Sequence, residues 1–346
     1  MSTAPKILLI YTGGTIGMMR DFESGALSNF DFDALLDHIP ELQLLSCEIE
    51  TVSTSEPIDS SNMHPEHWLN LVQIIAGHYN NYDGFVVLHG SDTMAYTGSA
   101  LSFMLQGLNK PIILTGSQLP VGDLRTDAKE NLITSIEIAS AQKEGRPRVC
   151  EVGLYFEYKL LRANRSTKIN AEHFEAFASL NYPSLVESGV HLEFNDAALL
   201  PYDSSAILEV CTALENQIAL VKLFPGLTAE VFEAMTAAAG LKGVIIETFG
   251  AGNAPTAAWL LNSIKQLIAR GIPVVNVTQC SGGSVAMGQY ATSVGLRNAG
   301  VISGGDITTE AALAKLMYLL GACVPREELK SRFESPICGE MDELLA

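Results

Sequence analysis

Short apolar runs alternate along this chain with longer segments of helical periodicity, and this alternation restricts the possible folds more than any other feature. The runs lack the polar and apolar alternation of half-exposed strands, as is typical of parallel strands that are covered on both faces. Between them, residues such as Trp68, Leu71 and Ile75 fall on one helical face. The pattern predicts an α/β fold in three layers, α/β/α, with a mainly parallel sheet in each domain. The apolar runs include ILLIY (7–11), GFVVLHG (84–90), PIILTGS (111–117), EVGLYF (151–156), QIALV (217–221), GVIIETFG (243–250) and IPVVNVTQ (272–279).

The chain is expected to form two domains, because 346 residues exceed the size at which a single hydrophobic core usually stops growing. The strand and helix rhythm is lost around residues 183–213 and resumes at residue 217. We therefore predict a larger N-terminal α/β domain over 1–186, a connection over 187–213 and a smaller C-terminal α/β domain over 214–346.

The charge balance argues against nucleic acid as a partner. The chain has 39 acidic and 21 basic residues, for a formal net charge of −18, and it contains no basic run. Such a surface repels phosphate backbones and anionic membranes. We expect neither a nucleic acid partner nor a membrane partner.

The cysteines and histidines show no spacing that is typical of a metal site. The six cysteines occur singly, and the seven histidines form no HxxxH or HxH cluster. The sequence also lacks a signal-peptide pattern near its start and an apolar run of ~20 residues. We predict a cytoplasmic protein with reduced thiols and no metal cofactor.

Polar residues follow three of the predicted strands, in the segments 12–15, 89–93 and 115–117. In parallel sheets, ligands bind at the carboxyl ends of strands. The first segment is part of YTGGTIG (11–17), which matches neither phosphate-binding pattern, GxxxxGK[ST] or GxGxxG. The hydroxyl groups and the single carboxylate favour acyl chemistry over hydride transfer. We interpret the two glycines as positions where the backbone comes close to a ligand.

Each of these segments can also be explained by a purely structural role, and the residues alone do not decide between that role and a catalytic one. YTGGTIG is compatible with a simple tight turn between a strand and a helix. Ser91 or Asp92, in HGSDTM (89–94), is a suitable helix N-cap. Lys168 lies in a polar loop, where a lysine is usually solvated, although a partly desolvated lysine can lose its proton and act as a base.

Taken together, these segments resemble those of one enzyme family, the bacterial L-asparaginases, and in particular its cytoplasmic type I branch. The resemblance extends from about residue 6 to the C-terminus, and its motifs occur in the family's order. The pair TGGTI and HGxDTM is far more specific than either motif alone. The matching segments are YTGGTIG (11–17), DSSNM (59–63), HGSDTM (89–94), RSTKINA (165–171), GAGNAP (250–255) and NVTQC (276–280).

The resemblance implies hydrolysis of L-asparagine to L-aspartate and ammonia, without a cofactor. Thr15 matches the family's nucleophile, which forms a β-aspartyl ester that water hydrolyses. Ser91, Asp92 and Lys168 match a second catalytic cluster, in which the hydroxyl relays a proton and the lysine tunes it. There, the aspartate orients the lysine and receives the α-amino group of the substrate.

The resemblance also implies how the substrate is held and that the protein assembles. Asp59 and Ser60 match positions that bind the α-amino and α-carboxylate groups of the substrate. Asn253 matches an asparagine that reaches the site of a neighbouring subunit, which implies a homodimer or a homotetramer.

The chain departs from the family pattern at three positions. Ser91 stands where the family usually has threonine, so the methyl group that restricts χ1 is absent. The segment RDFESGALSNF (20–30) lacks the tyrosine of the family's mobile loop, so either Phe22 or Leu27 takes its role or closure of the loop is weaker. Glu247 stands where cooperative relatives carry the arginine of a second asparagine site. We therefore expect no cooperativity.

Two other functions remain compatible with the sequence. One is an α/β module that binds an amino acid without physiological turnover, or a feeble homologue of the enzyme. The other is an amidase that acts on charged tRNA, since those enzymes share the TGGT and HGxDT segments. The acidic composition and the short segment before the first strand disfavour the tRNA amidase.

Overall fold

The computed structural model describes residues 4–20, 27–29, 39–289 and 291–344; for residues 19, 20, 27–29 and 291 it describes only the backbone. The chain divides into two compact units, Met1–Val210 and Cys211–Ala346. The helices among the described residues are α1 (Pro65–His78), α2 (Met94–Met104), α3 (Ala128–Ser140), α4 (Ala229–Met235), α5 (Ala258–Ala269), α6 (Ala291–Ala299), α7 (Thr309–Gly321) and α8 (Arg326–Glu334).

The described residues also form strands in both units. Those of the first unit are β1 (Lys6–Tyr11), β2 (Met18–Arg20), β3 (Leu27–Asn29), β4 (Glu48–Ser53), β5 (Gly84–Leu88), β6 (Leu105–Gln106), β7 (Ile112–Thr115), β8 (Gln142–Lys143), β9 (Arg146–Pro147), β10 (Val152–Phe156), β11 (Lys159–Arg162), β12 (Thr167–Lys168), β13 (Phe177–Ala178), β14 (Val186–Ser188), β15 (Leu192–Phe194) and β16 (Glu209–Val210). Those of the second unit are β17 (Ile218–Lys222), β18 (Gly243–Thr248), β19 (Val274–Thr278) and β20 (Ile302–Ser303).

The first unit is built on an eight-stranded sheet in the order β15-β14-β11-β10-β7-β5-β1-β4. The five strands from β10 to β4 pair in parallel, and β11, β14 and β15 extend the sheet with antiparallel pairs. Ile7 and Leu9 of β1 share a core with Leu132 and Ile136 of α3. Leu8, which points to the opposite face, is equally buried, so both faces of the sheet are covered.

The second unit is built on a four-stranded parallel sheet in the order β17-β18-β19-β20. Val244 and Ile246 of β18 pack in one core with Leu260 of α5. Ile245, between them, packs in a second core with Leu316 of α7. Helices therefore cover both faces of this sheet, which confirms the predicted α/β/α layering and the mainly parallel sheets.

One segment differs from the prediction in detail. The stretch 187–213, which the sequence suggests as a connection, contains β15, paired antiparallel with β14 in the large sheet. The boundary between the units falls after Val210, near the end of this stretch.

Among the described residues, no helix is long and apolar enough to cross a membrane.

Candidate active site

The loop after β1 places Thr12 and Thr15 in different environments. Thr12 is buried, and both its backbone N–H and its hydroxyl donate to the Leu88 carbonyl of β5, at 3.0 and 2.8 Å. Its side chain therefore ties two strand ends together. Thr15 is only partly buried and begins a short 3₁₀ turn, Thr15–Gly17. The loop thus presents the Thr15 hydroxyl and uses the Thr12 hydroxyl structurally.

The glycines of this loop are required by the backbone of neighbouring loops. Gly14 has φ of +89°, and a Cβ there would lie 2.5 Å from the backbone nitrogen of Gly90. A Cβ on Gly13 would lie 2.4 Å from the Ile58 carbonyl oxygen, and one on Gly90 would lie 2.5 Å from the Ser60 Oγ. Contacts this short exclude any side chain. Three loops therefore meet at one edge of the sheet, and the residues that follow the two touching glycines, Thr15 and Ser91, lie on adjoining loops.

The second of these loops carries Asp59 and Ser60. The Asp59 carboxylate is exposed and accepts from the hydroxyl and the backbone N–H of Ser61, at 2.6 and 2.9 Å. These two hydrogen bonds lower the pKa of Asp59 below its ordinary value. Ser60 is buried, and its carbonyl accepts from the Thr93 hydroxyl at 2.8 Å. The loop is thus joined to the segment that contains Ser91 and Asp92.

Lys168 connects the two polar side chains of that segment. Its Nζ lies 2.8 Å from the Ser91 Oγ and 2.7 Å from the Asp92 Oδ1. The lysine side chain is 18% exposed and the Asp92 side chain 64%. Lys168 is held by β12, which pairs antiparallel with Phe177 and Ala178 of β13. The structure therefore brings together three side chains that the sequence analysis could relate only by resemblance.

A buried chain of hydrogen bonds lies beneath the Ser91 segment. His89 is fully buried, with Nδ1 2.6 Å from the Gly90 carbonyl and Nε2 2.9 Å from the Thr97 hydroxyl. A carbonyl only accepts, so Nδ1 carries the proton and Nε2 accepts from Thr97. Thr97 in turn accepts from the Trp68 Nε1, at 3.0 Å. Burial lowers the pKa of His89 to about 4, against the smaller opposing effect of the Gly90 hydrogen bond.

The third predicted segment contributes a residue that the sequence analysis missed. Thr115 and Ser117 are buried, and their hydroxyls donate to the carbonyls of Tyr155 and Leu119, at 3.0 and 2.6 Å. The next residue, Gln118, places its Oε1 3.5 Å from the Ser91 Oγ. Its only sequence signal is its position directly after a polar strand end.

The remaining predicted residues lie elsewhere. Asn253 belongs to the second unit, where its backbone bridges to Phe249 and its Oδ1 accepts from the Thr292 hydroxyl at 2.7 Å. Phe22 lies outside the described residues, and only the backbone of Leu27 is described. Over the described parts of the chain, no group of three or more His, Cys, Asp or Glu residues is arranged to hold a metal ion.

Comparison with known proteins identifies the family. The N-terminal asparaginase model matches residues 6–200, and the glutaminase/asparaginase C-terminal domain model matches residues 217–333. The chain belongs to the asparaginase family. This confirms the family that the sequence motifs indicate.

Proteins with similar sequences or structures are found in several organisms. L-asparaginase 1 of Escherichia coli (strain K12) is 40% identical, over 97% of this chain and 98% of that protein. The human 60 kDa lysophospholipase is 39% identical over 91% of this chain, which spans 58% of that protein. The crystal structure of L-asparaginase I from Vibrio cholerae superposes with a TM-score of 0.89, at 39% identity, and covers 98% of this chain and 99% of that one.

Proposed function

We propose that this chain hydrolyses the side-chain amide of L-asparagine to give L-aspartate and ammonia. The observation that carries the proposal is the contact of Lys168 with both Ser91 and Asp92, at 2.8 and 2.7 Å, beside the Thr15 loop. The asparaginase family models, which match the sequence of both parts of the chain, support it. So does the 40% identity to an L-asparaginase over nearly the whole chain.

Thr15 is the nucleophile in this proposal. Its oxygen attacks the side-chain amide carbon, its hydroxyl proton leaves through a neighbouring base, and the C–N bond then breaks as a proton is delivered to the leaving nitrogen. The products of this half-reaction are ammonia and a β-aspartyl ester on Thr15. A water molecule attacks the ester carbon, which releases aspartate and restores the Thr15 hydroxyl.

The second cluster moves the protons. The Ser91 hydroxyl, in contact with the Lys168 Nζ, relays a proton, while the lysine tunes its acidity. Asp92 holds the lysine amine in place through its Oδ1. General acid–base groups of this kind typically contribute ~10²-fold or more to the rate.

The loop at Asp59 and Ser60 binds the α-groups of the amino acid in our proposal. Hydrogen bonds from Ser61 lower the pKa of Asp59, so its exposed carboxylate is ionised at neutral pH. That charge, together with Asp92, suits the α-ammonium group. In this proposal the Ser60 hydroxyl binds the α-carboxylate, and Asn253 reaches the site of a neighbouring subunit.

Replacing Thr15 tests the proposal directly. We expect Thr15→Ala to lower ammonia release from asparagine by at least ~10³-fold, because it removes the acyl acceptor. Thr15→Ser, which keeps a hydroxyl, is the matched control and should retain measurable turnover. Both variants should keep the circular dichroism and melting temperature of the parent, since Thr15 is only partly buried.

The alternative function is an α/β module that binds an amino acid, or a feeble homologue without physiological turnover. Serine at position 91, in place of the family's threonine, is the observation that favours it. Isothermal titration distinguishes the two. Asparagine binding by the parent protein without ammonia release would establish the alternative and exclude hydrolysis.

We further propose a cytoplasmic homodimer or homotetramer that needs no metal or organic cofactor. The implied role of Asn253 in a neighbouring site requires at least a dimer, and all six cysteines are free thiols. Light scattering should give a mass of two or four chains. A monomer that is fully active, or activity that EDTA abolishes, would contradict this proposal.

A further inference from the structure

Gln118 is fixed in one orientation by contacts at both ends of the residue. Its Nε2 donates to the His173 carbonyl at 2.9 Å, which determines that the amide oxygen points the other way. Its backbone N–H lies 2.9 and 3.1 Å from the two carboxylate oxygens of Asp127. The amide oxygen of Gln118 is therefore held toward Ser91 and is not free to rotate away.

Asp127 holds the backbone of Gln118 rigidly in place. Its carboxylate is buried, and it also accepts from the backbone N–H of Leu119 and from the Asn131 Nδ2, at 3.1 and 3.2 Å. Asn131 in turn donates to the Gly116 carbonyl at 2.9 Å. A network in which the polar groups are paired in this way confines the segment that follows β7.

The Ser91 hydroxyl has two polar neighbours of different kinds among the described side chains. The Lys168 Nζ, at 2.8 Å, is paired with the Asp92 carboxylate and donates to the serine oxygen. The hydroxyl hydrogen is then directed at an acceptor, and the Gln118 Oε1 at 3.5 Å supplies one. This contact is long, as catalytic hydrogen bonds often are before substrate binds.

We propose that Gln118 is a positioning residue that sets the orientation of the Ser91 hydroxyl. This inference rests on the proposed function, in which Ser91 relays a proton. A threonine is restricted at χ1 by its own methyl group, whereas a serine is not. In this chain, the contact with Gln118 restricts the Ser91 side chain, as the missing methyl group would have done. Lys168 and Gln118 hold the Ser91 hydroxyl between them.

The inference predicts a coupling between positions 118 and 91. Gln118→Met is nearly isosteric but lacks the acceptor, and we expect it to lower kcat about tenfold, as the loss of one hydrogen bond implies, with a KM change below about threefold. In the Ser91→Thr background the same substitution should lower kcat by less than about threefold, because the threonine methyl group replaces the restriction.

A second substitution tests how Gln118 is held in place. Asp127→Asn weakens the contact that holds the Gln118 backbone, so its loss of kcat should also be smaller in the Ser91→Thr background than in the parent. Equal losses of kcat for Gln118→Met in both backgrounds would show that Gln118 only supports the loop. That result would overturn the inference.

A second measurement does not depend on turnover. In crystal structures of the parent and Gln118→Met proteins, we expect one χ1 rotamer of Ser91 in the parent and more than one in the variant, with a single rotamer restored when Gln118→Met is combined with Ser91→Thr. A single, unchanged Ser91 rotamer in Gln118→Met would refute the positioning role. If the parent releases no ammonia from asparagine, the proposed function fails, while this rotamer comparison still decides the role of Gln118.

Discussion

His89 should make the stability of the first unit depend on pH in the acid range. Burial lowers its pKa to about 4 from an ordinary value of 6.5, so the native ring stays neutral while the unfolded chain binds a proton below pH 6.5. Since the folded pKa is the lower one, the contribution to stability is complete above pH 6.5 and is lost as the pH falls toward 4. At pH 5 the unfolded histidine is almost fully protonated and the native one about a tenth protonated. The loss of unfolding free energy between pH 7 and pH 5 is therefore about 2 kcal/mol.

A tryptophan next to this histidine provides the assay. The chain has two tryptophans, Trp68 and Trp259, and the Trp68 indole donates to the same Thr97 hydroxyl that contacts His89. In a Trp259→Phe background, urea unfolding followed by fluorescence reports on the first unit alone. The curves are measured at pH 7 and pH 5 for the parent and for His89→Gln.

Glutamine at position 89 keeps a donor for the Gly90 carbonyl and an acceptor for Thr97, but does not titrate. The other ionisable groups are common to both proteins, so their contributions cancel in the comparison. We expect the variant to lose about 2 kcal/mol less than the parent between pH 7 and pH 5. Losses that agree within about 0.5 kcal/mol would refute the reasoning and show that the native histidine titrates normally.

Two further substitutions test the site and the second unit. Lys168→Met should lower ammonia release at least ~10²-fold with an unchanged melting temperature, because it removes the amine that contacts Ser91 at nearly constant volume. An active variant would mean that Ser91 relays the proton without the lysine. Glu340→Gln should destabilise the second unit by about 3–5 kcal/mol, because Lys315 and Glu340 are an ion pair with both side chains 0% exposed, and the variant leaves a buried ammonium without its counter-charge. The exposed ion pair of Lys129 and Glu41 offers the control, because Glu41→Gln should leave the urea midpoint unchanged. A Glu340→Gln protein that is as stable as its parent would contradict the argument.

The parts of the fold that the sequence predicts best are those whose environment is uniform. β5 and β10 are buried along their whole length, so continuous apolar runs mark them. Helix α3 was missed, because its inward face combines Leu132 and Ile136 with buried polar residues such as Asn131 and Ser135, which weaken the apolar periodicity. β4 was missed for a related reason: as an edge strand it alternates exposed and partly buried residues and shows no apolar run.

The side-chain contacts of the candidate site could likewise be predicted only in part from the sequence. The carboxyl ends of β1, β5 and β7 could be predicted to gather polar residues, because parallel strands end at the same edge. The contact of Lys168 with Ser91 spans 77 positions, and no local pattern records it. The glycines illustrate a further difficulty. Their presence indicated a close approach, but the structure shows that the neighbouring backbone of Ile58 and Gly90 makes that approach.

Glu247 leads to a prediction about regulation. In cooperative relatives this position is implied to carry an arginine that anchors a second asparagine. Here the Glu247 side chain is 14% exposed, accepts from the Thr309 hydroxyl at 2.7 Å and lies 3.5 Å from the Lys222 Nζ. A carboxylate held in this way repels the α-carboxylate that an arginine would bind through two hydrogen bonds.

An effector shifts a conformational equilibrium only through its different affinities for the two states, so a chain that lacks the anchor should lack the switch. We therefore expect the initial rate of ammonia release to depend hyperbolically on asparagine concentration, with a Hill coefficient of about one. Thr309→Val, which frees the Glu247 carboxylate from its donor but leaves its charge, serves as the control and should give the same curve shape. A sigmoidal rate curve for the parent protein, or a crystal structure with a second asparagine against Glu247, would show that the enzyme binds an effector through other contacts.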